Sequence, residues 1–150
     1  MHNAVQAQKF DVVNLLLKGK GGADVNARDS HNSTPLHKAL EGQNLNILQL
    51  LLSHGADGNA IDYFGFSPLH KALRSRKFDV VEPLIKSGAD VNVRDGYNST
   101  PLHLVSFEGS LDVARLLIEH GADVDDENHT PFSIASARGH RKLARFLSYG

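Results

Sequence analysis

Nine histidines and no cysteine in 150 residues make metal ligation the first chemistry to weigh. His37, His70 and His103 recur at a spacing of 33, each three residues after a Thr or Ser that precedes a proline. A zinc site needs three or four ligands converging on one point. A row separated by whole periods does not converge, and the row stops where Ser133 takes the next place in register. The spacing instead puts each imidazole within reach of the hydroxyl of Thr34, Ser67 or Thr100, so a structural hydrogen bond is expected and a metal is not.

Other suggestive residues fare no better as chemistry. Asp29, Ser30 and His31 have the types of a hydrolase triad, but neighbours on a short loop cannot form the relay and no oxyanion-hole donor accompanies them. The run "KGKGG" at 18–22 lacks the G-x-x-x-x-G-K spacing of a phosphate loop and reads as a loosened helix end. No catalytic residue and no cofactor are expected.

These residues belong to a period that runs through the chain. "GAD" begins at Gly22, Gly55, Gly88 and Gly121, and "TPLH", "SPLH" and "TPLH" begin at Thr34, Ser67 and Thr100. Thr34, Ser67, Thr100 and Thr130 each precede proline, the pairing of a hydroxyl N-cap with proline at the first helical position. A first helix, helix A, starts there. "LNILQLLL", "FDVVEPLI" and "LDVARLLI" then carry apolar residues in steps of three and four, the stripe of a second helix, helix B. Gly55, Gly88 and Gly121 follow the last apolar residue by three, where a chain leaves a helix through positive φ. Asn32, Gly65 and Asn98 share one register in the connecting arms, and both residue types tolerate the left-handed conformation of a hairpin tip.

A 33-residue period with T-P-L-H resembles the ankyrin repeat over essentially all 150 residues. The resemblance implies an all-α repeat solenoid of helix-turn-helix units joined by β-hairpin or turn arms. The expected division is a partial first repeat at 1–26, internal repeats at 27–59, 60–92 and 93–125, and a capping repeat at 126–150 with a shortened arm. In the first, helix A is expected from about His2 to Gln8 and helix B from Phe10 to Lys18. Arg141, Lys142 and Arg145 suit a solvated terminal cap. Asn26, Asn59 and Asn92 share a register at which the family is sometimes hydroxylated, against the plainer expectation that they tie the arms together by hydrogen bonds.

Several departures from the pattern are expected to matter. Pro83 inside "DVVEPLIK" should bend helix B or shift its start. Gln43 and Arg76 stand where Gly109 and Gly139 end helix A, which costs roughly 1 kcal/mol if the left-handed conformation is kept. The last arm is three residues short, so its hairpin should be stunted and Asp125, Asp126 and Glu127 should form an acidic rim.

In proteins that look like this one, hairpin tips and the exposed face of helix A line a concave groove. By register alone the groove receives Ser30, His31, Lys38 and Glu41, then Tyr63, Phe64, Phe66, Lys71 and Arg74, then Tyr97, Phe107 and Glu108. Lys38 and Lys71 should lie in line with Arg74 as a small basic track, beside a set of rings whose mixture with arginine is typical of interface hot spots. Phe66 could equally cover the neighbouring arm, whereas two adjacent rings at a tip, Tyr63 and Phe64, serve no folding purpose.

The reading is a protein-interaction module holding an acidic and apolar partner segment. It leaves open a substrate-recognition or adaptor portion of a larger enzyme, such as a ligase or kinase complex, and a designed or structural scaffold. Net charge of −1 gives no general attraction to nucleic acid, and the longest apolar runs are too short to span a membrane. The lack of cysteine and of a signal-peptide pattern leads to the expectation of a protein of the cytoplasm or nucleus, and a monomer is expected.

Overall fold

The computed structural model describes residues 1–42, 44–124 and 130–149. Gln43 and the acidic run Asp125, Asp126 and Glu127, with the expectations attached to them, lie outside the described residues. Among the described residues ten α-helices follow one another as five pairs: α1 (His2–Gln6) and α2 (Phe10–Lys18), α3 (Pro35–Glu41) and α4 (Leu45–Ser53), α5 (Pro68–Arg74) and α6 (Val81–Lys86), α7 (Pro101–Glu108) and α8 (Leu111–Glu119), α9 (Pro131–Ala137) and α10 (Arg141–Leu147). No strand occurs among the described residues, so the arms before α3, α5 and α7 are tight turns rather than paired β-ladders.

Each helix A begins as its sequence dictates. At α3, the His37 amide reaches Thr34 Oγ1 at 3.5 Å while the Thr34 amide donates to His37 Nδ1 at 3.1 Å, a reciprocal cap in which histidine replaces the usual Glu or Gln. Ser67 with His70 and Thr100 with His103 repeat it. Proline at the first position loses no hydrogen bond, because that amide has no partner within the helix. The pair ends on Gly55, Gly88 and Gly121 at φ of 80°, 95° and 89°.

The register of burial shows how the pairs stack. Leu36, Leu69 and Leu102 of the T-P-L-H signature are fully buried, yet Phe132 at the same place in α9 is exposed. Conversely Ile47, Val80, Val113 and Leu143 in helix B are buried while their counterpart Val12 in α2 is exposed. The signature leucine thus packs toward the following pair, and the helix B position toward the preceding one. Fully burying such a side chain contributes about 1.5–3 kcal/mol, so stability is distributed between neighbouring pairs along the stack.

The departures resolve locally. Phe78–Val80 form a 3-10 turn and α6 begins only at Val81, which puts Pro83 in the first α-turn, where its missing amide is harmless. Arg76 keeps the left-handed conformation, with φ of 55°. In the first pair α1 ends at Gln6, not Gln8; Gln8 instead turns left-handed at φ of 55°, and the Lys9 amide closes onto the Ala4 carbonyl at 3.0 Å. The long "KGKGG" end bulges and rejoins the pattern: the Ala23 amide reaches Leu16 at 2.9 Å, as Ala56 reaches Leu51 at 3.0 Å. There Gly21, not Gly22, takes positive φ, at 78°.

Candidate protein-binding groove

The arms that carry the tips are built around a buried aspartate that sequence reasoning passed over. In the third repeat Asp62 Oδ1 accepts the amides of Phe64 and Phe66, each at 3.0 Å, and the Gly65 amide donates to the Asp62 carbonyl at 3.0 Å. Asp29 and Asp95 do the same in their arms. Asn32, Gly65 and Asn98 hold the left-handed corner of each turn at φ of 58°, 76° and 63°. The three aspartates recur every 33 residues, so the signal was present in the sequence.

Successive arms are cross-linked. His37 Nδ1 already accepts from Thr34, so its proton resides on Nε2, which donates to the Phe66 carbonyl of the next arm at 2.9 Å. His70 donates likewise to the Ser99 carbonyl at 3.0 Å. Burial pushes both imidazoles below the ordinary histidine value, and the carbonyl acceptors only partly oppose it. His37 and His70 are therefore neutral scaffold. His2 makes a cross-link of the same kind, its Nε2 lying 2.8 Å from the Ser33 carbonyl.

On the other edge of the stack, Asn26, Asn59 and Asn92 each bridge to the next pair. Asn59 donates from Nδ2 to the Gly88 carbonyl at 2.9 Å and accepts the Asp90 amide at 2.7 Å. Both ends of each amide are thus engaged, as the structural expectation required.

The groove residues divide on this frame. Tyr63, Phe64 and Tyr97 are 79%, 62% and 75% exposed. The tips of the third and fourth repeats touch through backbone, since a Cβ on Gly65 would meet Gly96 N at 2.5 Å. That approach brings Phe66 to within 6.2 Å of Tyr97, 6.5 Å of Phe64 and 6.4 Å of His70, ring centre to ring centre. Phe66 is half-buried, and Arg74 lies over its ring at 4.7 Å. Glu41, Asp62, Phe64, Phe66, Lys71, Arg74 and Ser75 line one depression of 260 Å³. His31 is exposed on the neighbouring tip, where its carbonyl accepts the Tyr63 amide at 3.0 Å.

The expected basic track is corrected. Lys38 sits between Asp29 at 3.4 Å and Glu41 at 3.5 Å, and Lys71 between Asp62 at 3.3 Å and the same Glu41 at 3.5 Å. Their side chains are only 15% and 21% exposed. Lysine falls where the aspartate's second oxygen needs a partner, so the pair neutralises itself and the wall offers little net charge. Burial raises the Asp29 pKa, but the amides of Ser33 and His31 and then Lys38 outweigh it and hold the carboxyl below its ordinary value. Arg74 makes no ion pair among the described residues and stays available beside its ring.

At the far end Phe107 is half exposed and is covered on one side by Arg138 at 4.0 Å, while Glu108 is engaged by Arg76 of the preceding pair. Neither joins the depression around Phe66. A larger cleft of 390 Å³ lies between the second and third repeats at the helix A to helix B turns, away from the tips. No group of His, Asp or Glu suited to a metal ion occurs among the described residues, and none of their helices is long and apolar enough to cross a membrane.

A family model described as ankyrin repeats in three copies matches residues 1–95 and 92–150. No curated protein matches the chain.

Proposed function

The chain belongs to the ankyrin repeat family, whose members generally serve as protein–protein interaction modules, and from that premise we propose that it holds an extended or loop segment of a partner protein in the groove of its second to fourth repeats. The observation that carries this reading is the pairing of exposed rings with a rigid support. Tyr63, Phe64 and Tyr97 remain in solvent on turns whose backbone is fixed by Asp62, Asp95 and the histidine cross-links. Rigid aromatic anchors contribute contact area at small entropic cost. Phe64, Phe66 and Arg74 frame a depression that fits one bulky apolar side chain of the partner.

The self-neutralised lysines shift the partner's chemistry from acidic toward apolar and aromatic, with Arg74 as the groove cation that can take a carboxylate. No reaction and no cofactor are part of this reading, and the module acts as a monomer inside a cell. The test is capture from a cell lysate with the native chain and with Tyr63→Ala/Phe64→Ala, followed by mass spectrometry. A partner retained by the first and lost by the second supports the proposal; identical captured sets with unchanged folding overturn it.

A further inference from the structure

We infer that the C-terminal end of the stack is a second docking face, distinct from the groove, for an acidic segment of a partner protein. Residues 130–150 contain Arg138, Arg141, Lys142 and Arg145 and no Asp or Glu, whereas residues 1–129 hold twelve Lys and Arg against seventeen Asp and Glu. The charge of the chain is thus separated by position, which the net value of −1 conceals.

Solvating a terminal repeat requires only polarity, and mixed charge supplies it without repulsion. Four cations elsewhere in the chain stand beside carboxylates: Lys38 with Asp29 and Glu41, Lys71 with Asp62, Arg76 with Glu108, Lys86 with Glu82. Arg138, Arg141, Lys142 and Arg145 make no ion pair among the described residues. One of the four is set against a ring instead: Arg138 covers Phe107 at 4.0 Å, and beside the cap Arg115 of α8 covers Phe146 of α10 at 4.9 Å. Stacking fixes a guanidinium plane while leaving its N–H edge free for a carboxylate.

The face is continuous with helix geometry. Arg141, Lys142 and Arg145 stand at i, i+1 and i+4 in α10, opposite Leu143, Ala144 and Leu147, which are buried. Tyr149 beyond the helix and Phe132 in α9 are exposed, so aromatic area accompanies the charge. Arginine with aromatic residues is the composition enriched at protein interfaces.

Carboxylates fit this face better than a continuous polyanion. Asp112 and Glu119 on α8 are exposed, as are Asp24, Asp57, Asp90 and Asp123 along the stack. A nucleic acid or bilayer extending past the cap along the stack would run against that acidic body. The apolar side of α10 is already committed to the core, which leaves this helix no apolar stripe to lay into lipid. A short acidic segment can touch the cap alone.

The experiment titrates a labelled peptide of repeated Glu-Glu-Leu by fluorescence anisotropy against the native chain, Arg141→Gln/Lys142→Gln/Arg145→Gln, and Tyr63→Ala/Phe64→Ala. Glutamine keeps most of each stem, and the substituted side chains are exposed, so melting curves should coincide. Oligothymidine and phosphatidylserine vesicles are titrated in parallel. Peptide binding that weakens about tenfold in the triple glutamine variant, survives the groove variant and falls with added salt supports the inference. Absence of peptide binding at low ionic strength, equal affinity in the triple variant, loss in the groove variant alone, or tighter binding of oligothymidine or vesicles overturns it.

Discussion

His37 donates from Nε2 to the carbonyl of Phe66 at 2.9 Å, so the ring that caps one helix also holds the arm of the next repeat. Scaffold and candidate site are joined through this bond, because Phe66 sits between Phe64 and Tyr97. Replacing His37 with Ala orphans a buried amide and a carbonyl together. The expected loss is about 2–4 kcal/mol in urea unfolding, and a loss under about 0.5 kcal/mol would contradict the role assigned to the ring.

The same histidines set a pH dependence. His37 and His70 are held below the ordinary value of 6.5 by burial, so between their folded and unfolded values the unfolded chain binds more protons. Their contribution is complete above 6.5 and is lost as pH falls through the folded values. Urea midpoints measured from pH 8 downward should therefore begin to fall near that value, and His37→Ala/His70→Ala should flatten the slope there.

Gly65 and Gly55 separate backbone strain from crowding. Both are left-handed, at φ of 76° and 80°, but a Cβ meets Gly96 N at 2.5 Å only at Gly65. Gly55→Ala should cost about 1 kcal/mol, and Gly65→Ala distinctly more, with displaced resonances at Phe66 and Tyr97 in NMR spectra. Equal costs would show that the tips do not touch.

Arg76 is a left-handed non-glycine whose pair with Glu108 is largely exposed and therefore weak. Arg76→Gly should raise stability by about 0.5–1 kcal/mol, read as a shift in thermal midpoint.

The period made the helices legible, because T-P-L-H, the helix B stripe and the closing glycine each carry a local reason for their place. Left-handed Asn32, Gly65 and Asn98 were legible on the same ground. Contacts across the stack were not. Lys38 and Lys71 looked like free cations in the linear chain, and only the folded arm shows Asp29 and Asp62 turning their second oxygens toward them. Arg138 on Phe107 and Arg76 on Glu108 depend on how one helix-helix turn meets the next, which no single repeat encodes. His2 escaped notice because the two residues inserted in "KGKGG" move the first repeat's helices out of the 33-residue register; counted from His37 it stands 35 residues back.

The groove reading also forbids something. With Lys38 and Lys71 engaged by their own carboxylates, Lys38→Ala/Lys71→Ala should disturb partner binding less than removal of the two rings. The most direct measurement is quantitative capture from one lysate on the native chain, the double-lysine variant and Tyr63→Ala/Phe64→Ala, with matched thermal midpoints. The account predicts a partner that the first two retain and the third releases, with affinity lowered about tenfold or more. A captured set that ignores the rings, or that is lost with the lysines, would contradict it.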